Sequence, residues 1–253
     1  MSGVSRVAVI LILLLVPAAA WAAHPLDVED AETEGKGRYS LEFTGDYVKD
    51  NGMTSTETTV TITAGAAEDT DLSLEVPYLL LNPSPETGRH EAGFSDLRLK
   101  LKHRFYETPD EQSLAYLIHA DLPTGDEKKG LGSGKVEWGG RLIGTKEWDR
   151  LELHLNAGYE SHGSALKKGD FTLEYAVSYG LAAEYEITEP FELVVEVSGE
   201  RRKQDGQFSR PLFLLGGAIY ELSESWYVDV GLRAGLNTDA EDYALLAGVA
   251  YGF

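Results

Sequence analysis

The stretch Tyr243-Ala-Leu-Leu-Ala-Gly-Val-Ala-Tyr-Gly-Phe253 decides the fold class. Tyr243, Leu245, Ala247, Val249, Tyr251 and Phe253 share one parity; Ala244, Leu246, Gly248, Ala250 and Gly252 fill the other. Side chains alternate across a strand, so the segment offers one aromatic and apolar face and one face of mostly small residues. An exposed strand edge ending on an aromatic residue templates aggregation, which a soluble protein avoids. A closed barrel has no such edge, because its last strand pairs with its first. The competing reading is the final strand of a soluble sandwich.

The same period of two runs back through the chain. Tyr39, Leu41, Phe43, Gly45 and Tyr47 alternate with Ser40, Glu42, Thr44 and Asp46, and Leu72, Leu74, Val76, Tyr78 and Leu80 alternate with Asp71, Ser73 and Glu75. Leu151, Leu153, Leu155 and Tyr159 oppose Glu152, His154 and Asn156, while Trp226, Val228, Val230 and Leu232 oppose Tyr227, Asp229 and Arg233. The pattern predicts roughly twelve strands of about ten residues, the length a tilted strand needs to cross a bilayer.

The connections alternate in length. The expected long ones are Lys49 to Ser55, Asn82 to Ala92, Gly125 to Lys135, Ser161 to Asp170, Glu200 to Arg210 and Asn237 to Asp242. Short ones, such as Glu147 to Arg150 and Thr188 to Pro190, fall between them. Short periplasmic turns and longer outer loops are the habit of outer-membrane barrels. Aromatic residues gather near strand ends, as in membrane-interface girdles, although strand propensity also favours them. These features together predict an all-β, transmembrane, antiparallel up-and-down β-barrel over residues 39–253.

The beginning of the chain agrees. Arg6 is followed by an apolar run from Val7 to Val16, Pro17, and the small-residue spacing of Ala20-Trp21-Ala22. That reads as a signal peptide over residues 1–22, exported through the inner membrane. Residues 23–38 lack any period, carry Asp27, Glu29, Asp30, Glu32 and Glu34, and read as a polar periplasmic leader, with a partial plug as the alternative. The expected location is the outer membrane of a Gram-negative bacterium. Apolar residues at alternate positions before Phe253 resemble the signal read by the barrel assembly machinery, with Tyr251 and Phe253 as its key residues.

Alternation also assigns a lumen. With Leu97, Leu99 and Leu101 toward lipid, Arg98, Lys100, Lys102 and Arg104 face inward. His119 and Asp121 lie on a neighbouring strand, and Glu152, His154, Glu192, Glu196, Asp229 and Arg233 complete the expected lining, with Glu174 and Glu184 beside them. Four cations on one strand repel one another and require partners. The wall reads as a charged channel that sets selectivity, or as a salt-bridged interior that fills a narrow barrel and fixes register. Both can hold at once.

Other chemistry is sparse. Acidic residues number 42 against 22 basic ones, which argues against nucleic acid as a partner. There is no cysteine, and the six histidines lack ligand spacing, so no metal or cofactor is expected. Ser161, His162, Ser164 and Asp170 are the best hydrolytic candidates, yet loop Ser and His are common and the chain reads as a non-enzyme. Lys128, Lys129, Lys167, Lys168, Arg201, Arg202 and Lys203 fall on outer loops, where they meet lipopolysaccharide phosphates or water. The expected partners are the lipid bilayer, lipopolysaccharide, the assembly machinery and small solutes, for a monomer.

Several short motifs occur in order: His24-Pro-Leu-Asp-Val-Glu-Asp-Ala-Glu-Thr-Glu-Gly-Lys-Gly37, Gly93-Phe-Ser-Asp-Leu97, Leu122-Pro-Thr-Gly-Asp126 with Gly130-Leu-Gly-Ser-Gly134, and Tyr179-Gly-Leu-Ala-Ala-Glu-Tyr185 leading to Glu196. In this order they resemble the outer-membrane transporter family described as meta-pathway phenol degradation proteins. The resemblance implies a monomeric barrel for passive uptake of small, aromatic or hydrophobic compounds, and supplies no catalytic residues.

Overall fold

The structure, a computed structural model, describes residues 24–162, 173–204 and 206–253. Strands β1 (Tyr39–Asp50), β2 (Met53–Ala67) and β3 (Thr70–Asn82) are followed by β4 (Glu91–Phe94) and β5 (Leu97–Glu107). Next come β6 (Gln112–Leu122), β7 (Glu137–Trp148), β8 (Leu151–Ser161), β9 (Leu173–Thr188) and β10 (Phe191–Gln204). The last four are β11 (Gln207–Ser209), β12 (Leu212–Ser223), β13 (Trp226–Gly235) and β14 (Tyr243–Gly252). Both β4 and β5 pair with β3, and both β11 and β12 pair with β10, so each couple fills one position in the wall. Twelve antiparallel wall strands result. The ring closes where β1 meets β14, with Leu41 opposite Tyr251 and Phe43 opposite Val249.

The parity read from the sequence sets the faces. Leu41, Phe43, Ile62, Leu99, Ile118, Leu142, Leu155, Val195, Val230 and Leu245 are exposed on the outside, several of them more than half so. A water-soluble fold could not leave so much contiguous apolar surface bare; a bilayer covers it. Aromatic rings stack across strands at both rims. Tyr39, Phe253, Tyr251 and Trp226 form a chain of contacts at one rim, with Tyr251 and Trp226 centroids 4.6 Å apart. Tyr78 with Phe94 and Trp138 with Tyr159 lie toward the other.

The rim that holds both Tyr39 and Phe253 has only tight turns, such as 68–69, 149–150 and 189–190. Longer connections lie opposite: 83–90, 123–136 and 236–242. Two connections expected to be long are shortened by strand pairing. Asn51-Gly52 joins β1 to β2 with both residues at positive φ, and β10 pairs with β11 out to Gln204 opposite Gln207. In each case the strands continue past the apolar girdle, because polar residues pair as well as apolar ones once outside lipid. The 123–136 loop is held down by Asp96, the bulge residue between β4 and β5. Its carboxylate accepts from the Gly125 and Ser133 amides at 2.8 and 2.7 Å and from the Ser133 hydroxyl at 2.8 Å.

The leader takes the plug alternative. Rather than hanging below the barrel as a periplasmic tail, residues 24–37 run inside it, with Leu26, Val28 and Ala31 buried. The proposed signal peptide, residues 1–22, lies outside the described residues, as do Ser164, Lys167, Lys168, Asp170 and the side chain of Glu174.

Candidate functional site

The leader makes a circuit of the inner wall. The His24 imidazole sits between Asp229 of β13 and Asp46 of β1, next to Gly248 of β14. Pro25 rests on Gly217 of β12 and Gly231 of β13, and Val28 on Gly180 of β9. A Cβ at Gly180 would lie 2.4 Å from a Val28 methyl, so the close approach requires glycine there. Glu196 of β10 accepts the Asp27 and Val28 amides at 2.8 and 2.9 Å through one carboxylate oxygen. Asn156 of β8 brackets Glu29, accepting from its N–H at 2.9 Å and donating to its carbonyl at 2.7 Å. Thr145 of β7 accepts from Ala31 at 2.9 Å, and Asp71 of β3 from Glu34 at 3.0 Å. Gly37 ends the circuit on the Gly65 carbonyl of β2 at 2.9 Å. The segment has no internal ladder, so the wall supplies acceptors for the Asp27, Val28, Glu29, Ala31, Glu34 and Gly37 amides, while the Glu32 amide donates to Asp30 within the leader.

Charge fixes the register of this ring. Lys100 bonds Glu29 and Glu75 at 3.0 Å each, and Lys102 bonds Asp30 at 3.0 Å. Arg104 reaches Glu32 and Asp69, both at 2.9 Å, and Arg233 joins Asp27 at 2.5 Å to Glu241 at 2.6 Å. Arg98 instead forks onto Asp121 at 2.6 and 2.9 Å. Lys100, Lys102 and Arg104, alternate residues of β5, therefore meet Glu29, Asp30 and Glu32 of the leader in the reading order of both segments.

The lumen is not purely ionic. Leu26 and Val28 pack among Ala182, Val194, Leu215, Ile219, Ala244 and Leu246, and Ala31 among Ala115, Leu117 and Ile143. On β12 the apolar residues Phe213, Leu215 and Ile219 point inward while Leu214 and Tyr220 face lipid. Burying Leu26 and Val28 contributes about 1.5–3 kcal/mol each to holding the leader.

The family model described as "Putative MetA-pathway of phenol degradation" matches residues 30–253. The chain belongs to that family. Among solved structures, this family member is similar to an outer-membrane channel from Pseudomonas putida F1, with TM-score 0.75 and 13% identity, covering 90% of this chain and 100% of that one. It is also similar to the KdgM porin in complex with disordered oligogalacturonate, with TM-score 0.57 and 12% identity over 85% and 99% of the two chains. The beta domain of the Bordetella autotransporter BrkA follows at TM-score 0.51 and 12% identity, over 87% and 100%. Such identities establish a shared outer-membrane barrel fold. No curated protein sequence matches the chain.

The remaining expected lumen residues also face inward in this family member. His119 lies over Gly139, which has no side chain to displace it. His154 bonds Thr145 at 3.0 Å and lies 3.1 Å from Glu184. Glu152 and Glu192 border a cavity of about 160 Å³ at the turn-bearing rim, together with Glu184 and Glu186. A second cavity, about 180 Å³, lies against Asp27 and Val28 on the other side of the leader. His162 is 3.3 Å from Glu137, and that hydrogen bond raises its pKa, with burial opposing. The leader's part in the site was open in the sequence only as the plug alternative. The available clue was complementarity: five acidic residues in the leader against four cations on β5.

Proposed function

We propose that this protein is an outer-membrane channel of a Gram-negative bacterium, passing small solutes by passive diffusion, with the leader forming the constriction. The inner ring carries this reading: it narrows a closed barrel while cavities remain on both of its sides. The family's description, phenol degradation, supports small aromatic compounds as the solute class. Within this proposal Lys100, Lys102, Arg104, Asp229 and Arg233 act by holding the ring in register, Arg98 ties β5 to Asp121 of β6, and Tyr251 with Phe253 serves as the assembly signal. Lipopolysaccharide contact falls to Lys128 and Lys129 of the 123–136 loop, since Arg201, Arg202 and Lys203 belong to β10 and Arg202 lines the lumen cavity, and the protein acts as a monomer without enzymatic activity.

Purified full-length protein in planar bilayers tests this directly. Discrete conductance steps are expected. A silent bilayer with a correctly folded barrel supports the second reading, a permanently closed structural barrel, which the leader's ion pairs favour.

A further inference from the structure

Most lumen cations are ion-paired with carboxylates, but Arg141 of β7 is not. Its described hydrogen bonds come from one nitrogen alone and go to two neutral oxygens, the Asp27 carbonyl at 2.7 Å and Asn156 Oδ1 at 3.3 Å. Among the described residues no carboxylate lies within 4.0 Å of it. A guanidinium has five N–H donors in a rigid fork matched to a carboxylate. Arg141 therefore keeps unused donors at the wall of the 180 Å³ cavity, its charge balanced only at longer range, by Glu29 among others.

The rest of that cavity suits an amphipathic guest. Ser178 and Ser198 add hydroxyls beside it, and Phe213 forms an apolar side, with the Arg233 guanidinium 5.3 Å from its ring centroid. The other two arginines at this cavity are already engaged: Arg202 with Glu200 at 2.5 Å, and Arg233 with Asp27 and Glu241. The lining carries three arginines and three carboxylates, Asp27, Glu200 and Glu241, and of these arginines only Arg141 has no described ion-pair partner within 4.0 Å. Toward the outer loops, Phe213, Arg202 and Glu241 are shared with a second cavity of about 270 Å³, whose walls include Val48, Met53, Leu81 and Pro211. This antechamber is mixed, with Asp50, Asp239 and Glu241 beside its apolar walls; it leads to the Arg141 fork, and the leader is the floor.

We propose that these two cavities form a binding site for a small monocarboxylate with a compact apolar body, its carboxylate on Arg141 and its body against Phe213. This rests on the channel reading for its purpose but not for its test. The apolar walls desolvate the body, and Arg141 supplies charge-assisted hydrogen bonds that a neutral analogue cannot match.

Binding of cyclohexanecarboxylate and of cyclohexanecarboxamide to the full-length protein in detergent is measured by titration calorimetry, with an empty-micelle blank for each. The carboxylate is expected to bind at least about tenfold more tightly than the amide. Arg141→Gln should abolish that preference and Arg141→Lys should retain part of it, with barrel folding checked by heat-modifiable electrophoretic mobility. Equal binding of the two probes, or a preference unchanged in folded Arg141→Gln, overturns the site. Should Arg141→Gln not fold, Phe213→Ala decides: loss of affinity for both probes supports the site, and unchanged affinity refutes it. Conductance without probe binding leaves the channel standing and removes this site; probe binding in a silent bilayer does the reverse.

Discussion

Replacing Lys100 by Gln should unseat the leader. Lys100 Nζ lies 3.0 Å from both Glu29 of the leader and Glu75 of β3, and its side chain is 19% exposed. Removing the ammonium leaves two carboxylates facing each other across the gap it occupied. Breaking a fully buried pair in this way costs about 3–5 kcal/mol. Residual solvent access reduces that to about 2–3 kcal/mol here. Since about 1.4 kcal/mol is tenfold, the ratio of docked to released leader should fall roughly 30- to 150-fold. The Glu29→Gln/Lys100→Gln double variant removes the facing charge and should recover docking to within about 1 kcal/mol, a coupling that a double-mutant cycle isolates. Two assays read the equilibrium: open-state occupancy of single channels, and labelling of Ala31→Cys by a membrane-impermeant maleimide. The natural chain has no cysteine, so the label reports that position alone. Equal behaviour of Lys100→Gln and Lys128→Gln, which alters a solvent-exposed loop residue, would refute the reasoning.

Gly65→Ala would place a Cβ 1.8 Å from the Gly35 carbonyl oxygen, a backbone atom that cannot swing aside. It should raise maleimide labelling at position 31 while leaving the barrel's heat-modifiable mobility intact. Asp96→Ala removes three hydrogen bonds that hold the 123–136 loop, so trypsin cleavage after exposed Lys128 or Lys129 should accelerate about tenfold or more. Phe253→Ser loses ring contacts to Tyr39 and Tyr251 and the proposed assembly signal, and the yield of folded barrel in outer-membrane fractions should drop severalfold.

The wall was legible because lipid enforces alternation so strictly. At Leu97 to Arg104 or Leu151 to Asn156, a slip of one residue would drive ions into hydrocarbon, and the pattern leaves no second register. Strand β12 was harder, since Phe213, Leu215 and Ile219 are apolar residues facing a lumen. They are tolerated there because Leu26 and Val28 cover that part of the wall. Turn lengths failed at Asn51-Gly52, where polar strand ends resemble loop in composition although they continue the ladder. The leader's path was hidden for a related reason. It is extended but unpaired with any strand, so it carries no period; its partners lie as far as 206 positions away, as between Asp27 and Arg233. Only the charge balance of the β5 cations hinted at it.

The inner ring is the feature on which the rest turns, and one cross-link tests it. Ala31 and Thr145 lie 114 positions apart, joined by a 2.9 Å hydrogen bond inside the lumen. In an Ala31→Cys/Thr145→Cys variant expressed in native outer membranes, mild oxidation should form an intramolecular disulfide in nearly every molecule. A leader outside the barrel would leave both thiols reduced, with Cys at position 31 freely labelled from the periplasm, and would contradict this account.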